Sequence, residues 1–185
     1  MKIFLIVVTL LISSHSQAGL LLDVGGFYLS DDLMGSSSPT TTTSKNFYNL
    51  GLLFTIQKRF WGGWSYSGIG QTDSASGVTT TFNSQDTGPY IKWQFGRNQN
   101  YSVSGVFNIL SRATYSNGTV IEKWEGTSYL LQFAYMPEVD EGLHIGGSVN
   151  YYGANYTKKS VSGVESSATN TKSSIFPMLN LTKEW

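Results

Sequence analysis

The residues of this chain that could carry out chemistry are few. The sequence contains no cysteine, which excludes thiol catalysis, disulfides and a lipoprotein anchor. Beyond residue 18 the only histidine is His144, and Ser148 follows it by four positions. In an extended strand the two side chains lie on one face, where an imidazole and a hydroxyl could act as base and nucleophile. Whether this pair could act on a substrate depends on which way that face of the strand points.

Acidic residues offer a second kind of chemistry. The oxygen ligands that Ca²⁺ and Mg²⁺ prefer are available from aspartates in or near connecting segments: Asp31, Asp32, Asp73 and Asp86. Their spacing is not that of an EF-hand loop, so we interpret them as solvated loop carboxylates. No metal site and no cofactor is predicted.

Composition excludes further classes of protein. Twelve basic residues balance 12 acidic ones without any basic run, whereas a nucleic-acid partner requires a surplus of Lys and Arg. Only 13% of residues are charged, about half the usual share of a soluble globular domain. A chain of 185 residues is long enough for one domain with a substantial core or a closed barrel.

The first 18 residues have the pattern of a secretory signal peptide. Lys2 precedes the apolar run IFLIVVTLLI at residues 3–12, and Ser16-Gln17-Ala18 forms a small-x-small cleavage site. Ten helical residues span only about 15 Å, half of a hydrocarbon core. We therefore predict export with cleavage after Ala18, leaving residues 19–185 as one domain whose membrane spans, if any, are strands.

Alternation with a period of two dominates residues 19–185. In residues 47–57, Tyr48, Leu50 and Leu52 point one way while Asn49 and Gly51 point the other. Eight segments show this pattern. Short connections (58–60, 96–100 and 136–142) alternate with four segments predicted to be exposed loops (31–44, 73–81, 116–119 and 157–170). All of these loops except 116–119 are long. The layout predicts an all-β, eight-stranded antiparallel up-and-down transmembrane barrel with short turns at one rim.

The polar face of the segments distinguishes a membrane barrel from a soluble lipocalin-like carrier. It carries mainly Gly, Ser, Asn, Gln and Thr, which suit a crowded interior, rather than the Lys and Glu of a water-facing surface. Aromatic residues on the apolar face are expected at the two headgroup levels. The predicted short-turn girdle contains Tyr66, Phe95, Tyr101, Tyr135 and Trp185, and the long-loop girdle contains Tyr28, Tyr48, Tyr115 and Tyr151.

On these patterns the chain resembles the small OmpA/OmpX-type outer-membrane proteins of Gram-negative bacteria. The last strand, with Leu179, Leu181 and Trp185, is similar to that family's carboxy-terminal assembly signal, although Pro177 and Lys183 occupy outward positions. The resemblance implies a monomer in the outer membrane with periplasmic turns and extracellular loops. It implies contact with outer-membrane lipid and lipopolysaccharide, and with the barrel assembly machinery during biogenesis.

The interior of such a barrel is just wide enough to be filled by side chains. A polar network is predicted there from the charged residues on inward positions: Asp23, Lys92, Arg112, His144 and Glu184. Lys92 is expected to neutralise Asp23, because an unpaired ion in a dry interior is costly.

We therefore expect a structural, surface-exposed barrel, whose segment 36–44 (SSSPTTTTS) is a candidate contact surface. The alternative is a narrow pore for ions or very small solutes. Lipid A-modifying barrels are disfavoured, because the deacylase uses a lipid-facing His and Ser two residues apart and the palmitoyltransferase a loop histidine. The face of His144 and Ser148 is predicted to be inward, so no enzyme is expected.

Lys158 and Lys159 could contact lipopolysaccharide phosphates or be solvated.

Overall fold

The structure, a computed structural model, describes residues 19–33, 41–75 and 77–185. The predicted signal peptide and residues 36–40 of the candidate contact segment lie outside the described residues. Nine strands are found in the described ranges: β1 (Leu20–Leu33), β2 (Thr41–Gln57), β3 (Phe60–Ala75), β4 (Val78–Phe95), β5 (Tyr101–Ser116), β6 (Ile121–Tyr135), β7 (Glu138–Asp140), β8 (Leu143–Val161) and β9 (Val164–Glu184).

Eight of these strands close into a ring. Each pairs antiparallel with its neighbours in chain order, β6 pairs with β8, and β9 returns to β1. The short β7 pairs only with the start of β8 and belongs to a connection between strands. The predicted eight-stranded up-and-down barrel is confirmed. Among the described residues, no helix is long and apolar enough to cross a membrane.

The two faces of the wall are the reverse of those in a soluble protein. In β2 the polar Asn49 is 2% exposed, whereas its apolar neighbour Leu50 is 47% exposed. The same contrast holds in β4 between buried Lys92 and half-exposed Ile91. Because an apolar outer face around a polar interior is stable only against hydrocarbon, the barrel wall is a lipid-facing surface.

The strand register sets the width of the lumen. Leu20 on β1 pairs with a residue on β2, that residue pairs with one on β3, and so on around the ring. Followed in this way through every strand pair, Leu20 leads to Ile175 on β9. The β9–β1 register, when extended beyond its last pair, places Ile175 opposite Ser30. This stagger of ten residues tilts the strands and, with eight strands, leaves an interior that side chains fill.

The segments predicted as long exposed loops are largely paired strand, which corrects the expectation of long loops at this rim. β3 and β4 stay paired up to Ala75 and Val78. β8 and β9 stay paired up to Val161 and Val164, joined by a turn in which Gly163 has a φ of 84°. Composition misled here, because Ser and Thr are typical of loops while Thr also has a strong preference for strands.

One junction of the ring is short. β1 pairs with β9 over six residue pairs, from Leu21–Glu184 to Gly26–Leu179, preceded by hydrogen bonds between Leu20 and Trp185. By contrast, β1 pairs with β2 along its whole length, up to Leu33. Above Gly26, β1 and β9 are therefore unpaired with each other although the register would bring them together.

Candidate functional site

The lumen is the candidate site, and a closed ionic cluster occupies its short-turn half. Lys92 Nζ lies 3.2 Å from Asp23 Oδ2, and both side chains are almost fully buried. Lys92 also donates to Thr182 Oγ1 at 3.0 Å, and Thr182 donates to Asp23 Oδ1 at 2.8 Å. Tyr90 donates its hydroxyl to Asp23 Oδ2. The structure thus brings Asp23 and Lys92 together as expected, and two neutral hydroxyls complete the cluster.

A second cluster lies at the short-turn rim. His144 Nε2 is 3.5 Å from Glu184 Oε1, and His144 Nδ1 is 3.2 Å from the carbonyl oxygen of Met136. Gln94 donates to Glu184 and accepts a hydrogen bond from the Trp61 indole at 2.7 Å. His144 is therefore held between a backbone carbonyl and a carboxylate at the end of the lumen.

Side-chain amides fill the space beyond the Lys92–Asp23 cluster. Gln132 Nε2 donates to Asn150 Oδ1 at 3.0 Å and to Ser148 Oγ at 3.2 Å. Asn180 donates to Ser148 at 2.9 Å, and Ser104 donates to Gln132 at 3.1 Å. Ser148 thus bonds amides and contributes to a continuous hydrogen-bonded plug.

A buried carboxylate that the sequence reasoning missed lies in the long-loop half. Asp86 is 1% exposed and accepts hydrogen bonds from Ser111, from Tyr152 at 3.0 Å and from Ser84 at 3.1 Å. The described part of the chain places no cation within salt-bridge distance of it. Its interpretation as a solvated loop residue is wrong. The parity of β4 was the available signal, because Asp86 is an even number of residues from Lys92.

The end of the lumen opposite the short turns holds a pair of lysines. Lys172 donates to Gln71 Oε1 at 2.6 Å and lies 5.1 Å from the centre of the Phe82 ring, while Lys45 donates to Ser174. Burial lowers the pKa of Lys172, and the charge of Lys45 lowers that pKa further. Burial also lowers the pKa of Lys45. The nearby carboxylate of Asp73 opposes both shifts.

Two sequence-based assignments in β5 are wrong. Arg112 was expected in the lumen, but its side chain is 64% exposed on the outer face, 3.3 Å from Glu125. Tyr115 was expected in the outer girdle, but it follows the parity of the buried Ala113 and stacks on Trp124 on the inner side. A bulge between Asn108 and Ser111 reverses the alternation, because an extra residue turns every later side chain to the opposite face.

The outer aromatic residues form clusters. At the short-turn end, Tyr101 packs against Phe95, Phe133 and Tyr135 at centroid distances of 5.2–6.4 Å. Girdle residues exposed elsewhere on the outer face are Tyr28, Tyr48, Tyr66, Tyr151 and Trp185. The division of Tyr48 and Tyr66 between two girdles is wrong, because their rings lie 5.9 Å apart. The stagger between strands means that distance from a turn along the sequence does not give height in the membrane.

Within residues 19–33, 41–75 and 77–185, no group of His, Asp or Glu side chains could hold a metal ion. No protein-family model matches the chain, and no curated protein matches its sequence.

Solved outer-membrane barrels are similar to the chain. Neisserial surface protein A (NspA) is 12% identical with a TM-score of 0.46, covering 91% of this chain and 96% of that one. The translocator domain of the autotransporter NalP from Neisseria meningitidis is 12% identical with a TM-score of 0.44, covering 99% and 67%. The β domain of the Bordetella autotransporter BrkA is 10% identical with a TM-score of 0.41, covering 91% and 98%. The closed ring of strand registers and the two-faced burial establish the barrel independently of these likenesses.

Proposed function

We propose that this protein is a closed outer-membrane barrel that presents rigid strand hairpins at the cell surface and does not conduct. The observation that carries the proposal is the continuous filling of the lumen. From the short-turn rim upward, His144, the Lys92–Asp23 cluster, the Gln132 amides and the Asp86 cluster occupy successive levels. Nearly all of these polar groups bond one another, so a passing ion would have to break several buried hydrogen bonds.

The hairpins above the membrane support a role at the surface. β9 has 21 residues, whereas a tilted strand needs about 9–11 to cross a bilayer. The β8–β9 and β3–β4 hairpins therefore extend well beyond the hydrocarbon as paired strands. Such a platform presents side chains to envelope components or external partners without the ordering cost of a flexible loop.

A catalytic role is not part of the proposal. His144 contacts Met136 and Glu184, while Ser148 bonds amides deeper in the lumen. A lipid substrate would have to enter the filled barrel to reach either side chain. Mass spectrometry of lipid A from cells with and without the overexpressed protein tests this point, and any altered acylation would contradict it.

Conductance in planar lipid bilayers tests the closed lumen. The refolded protein is expected to give no steps, or only rare flickers, at ±100 mV. The alternative, a narrow pore for ions or very small solutes, predicts regular steps whose size or selectivity changes in Lys92→Met or Asp23→Asn. Lys158→Met is the matched control, because that lysine is exposed outside the lumen. Regular steps altered only by the lumen variants would refute the closed barrel.

Location and assembly belong to the same proposal. We expect the protein in the outer membrane, in contact with its lipid and lipopolysaccharide, folded as a monomer with the help of the barrel assembly machinery. The proposed assembly signal consists of the outward Leu179 and Leu181 on β9 and of Trp185 directly after it; all three are at least 39% exposed. Electrophoresis of the outer-membrane fraction without boiling should show faster migration than after boiling. A soluble protein with no such shift would contradict the location.

A further inference from the structure

The break in pairing between β1 and β9 has a cause in the sequence. Leu20 and Trp185 exchange both backbone hydrogen bonds, so every second pair above them is also a hydrogen-bonded pair. In the observed register these pairs include Gly26–Leu179, and the next one would be Tyr28–Pro177. Pro177 has no N–H to donate at that point. The ladder therefore ends where its next bond cannot be made, and we call the unpaired stretch above Gly26 and Leu179 the seam.

The seam opens in the upper half of the apolar wall. Six residues of a strand tilted by about 40° rise about 15 Å, more than half of the ~25 Å apolar band. Above this level, residues 27–33 of β1 and residues 164–178 of β9 are not paired with each other. The opening thus lies within the half of the membrane next to the extracellular hairpins.

On the lipid side the seam is bordered by a groove of about 600 Å³, which is mainly apolar. Its floor includes Gly26, where an added Cβ would meet nothing within 4 Å. Tyr28, Pro177 and Leu179 stand around it, and Leu179 is 78% exposed. The groove therefore has room for a hydrocarbon chain along the lipid side of the β1–β9 junction.

On the lumen side the seam is backed by apolar side chains rather than by the polar plug. The ring of Phe176 lies 5.5 Å from that of Phe27 and 4.7 Å from that of Phe47. Phe27 and Met178 from this inner face also line the outer groove. The wall is thus apolar on both its inner and its outer side at the seam.

A positive pair lies directly above this apolar surface. Lys45 bonds Ser174, two residues from Phe176, and Lys172 is two residues further along β9 on the same inner face. The charge of Lys45 lowers the pKa of Lys172, so the two ammonium groups repel each other, and the carboxylate of Asp73 lies near both. An anionic group in this position would relieve the excess positive charge.

We propose that the seam is a lateral binding site for a lipid of the outer leaflet whose phosphate headgroup has a net negative charge. One acyl chain lies in the groove against Tyr28, Pro177 and Leu179, and the phosphate lies near Lys45 and Lys172. The commitment to a membrane lipid follows from the opening, which faces the bilayer at the level where such chains lie. This inference rests on the proposed membrane-embedded barrel.

Native mass spectrometry of the whole protein released from detergent tests the site. The probes are dioleoyl phosphatidic acid, dioleoyl phosphatidylcholine and oleate, each offered alone at equal concentration. We expect one phosphatidic acid per barrel, at least tenfold better retained than phosphatidylcholine. Equal retention of the two phospholipids would overturn the proposal, and retention of oleate alone would overturn the choice of a membrane lipid.

Variants locate the site on the protein. Lys45→Met with Lys172→Met should reduce retention of phosphatidic acid at least tenfold, whereas Lys58→Met, at an exposed lysine in the β2–β3 turn of the opposite rim, should not. Pro177→Thr restores the missing N–H and should lower retention by extending the ladder, with Val149→Thr on the neighbouring strand as its control. Hydrogen exchange of residues 27–31 reports whether the ladder has extended in Pro177→Thr. Unchanged retention in the double lysine variant would refute the site.

If Pro177→Thr does not extend the ladder, a disulfide across the seam closes it instead. The chain has no cysteine, so Tyr28→Cys with Pro177→Cys provides a single disulfide across the seam. Oxidation should abolish phosphatidic acid retention, and reduction should restore it; equal retention in both states would overturn the proposal. The shift in electrophoretic mobility on boiling is measured for every variant, so that loss of the barrel itself is distinguished from loss of the site.

Discussion

Replacing Asp23 by Asn is the sharpest test of the lumen network. The amide removes the negative charge and leaves the Lys92 ammonium, 2% exposed, without its ionic partner. Removing one member of a buried ion pair typically costs about 3–5 kcal/mol, because the remaining charge is desolvated and uncompensated. We expect the free energy of unfolding of Asp23→Asn to fall by this amount.

Urea unfolding in lipid vesicles, followed by tryptophan fluorescence, measures that change. With a slope of about 2 kcal/mol per molar urea, the midpoint should fall by about 2 M. The double variant Asp23→Asn with Lys92→Met removes the stranded charge and should recover most of the loss. The double-mutant cycle then isolates the coupling energy between the two side chains.

The matched control is Asp31→Asn, an identical change on the same strand at an exposed position, which should leave the midpoint unchanged. A loss below about 1 kcal/mol in Asp23→Asn would contradict the stated cost of a broken buried pair. A double variant no more stable than Asp23→Asn would equally refute the argument that the stranded Lys92 charge causes the loss.

Other substitutions test packing, assembly and protonation. Gly51→Ala places a Cβ 2.5 Å from the Tyr90 ring, so calorimetry should show a loss of about 1–3 kcal/mol from overpacking. Trp185→Ala should reduce the fraction of protein that migrates faster unboiled, by severalfold, while leaving synthesis unchanged. The lowered pKa values of Lys45 and Lys172 mean that the unfolded chain binds more protons as the pH approaches 10.5, so stability rises with pH there. That rise should be smaller in a variant with both lysines replaced by Met.

Alternation was sufficient to predict the barrel and the meeting of Lys92 with Asp23. Both predictions follow from the period of two and from the pairing of the first strand with the last. Any register near the observed one would give the same two results. The level of Tyr66 could not be obtained in this way, because height depends on the stagger accumulated across all strands. Register is a property of the whole ring and leaves only a weak trace in any single segment.

Arg112 and Asp86 show two further limits. The bulge that turns Arg112 outward inserts one residue into an otherwise regular strand, and neither Gly nor Pro stands at that point of β5 itself. Asp86 was misplaced because it was grouped with the aspartates of connecting segments, although its parity with Lys92 predicts a side chain in the lumen. At strand ends rich in Thr and Ser, composition predicts a loop while the structure shows paired strands.

The short β1–β9 junction also governs how the ring responds to mechanical load. Tension in the plane of the membrane is carried around the wall by hydrogen bonds between neighbouring strands, and this junction has only six pairs with the Leu20–Trp185 bonds below them. Its upper end is already open, so load concentrates on the Gly26–Leu179 pair, and each bond that breaks transfers its share to the next. A pulling experiment should therefore unzip this barrel from the Gly26–Leu179 end of the junction toward the Leu20–Trp185 end, with its first and last strands separating before any others.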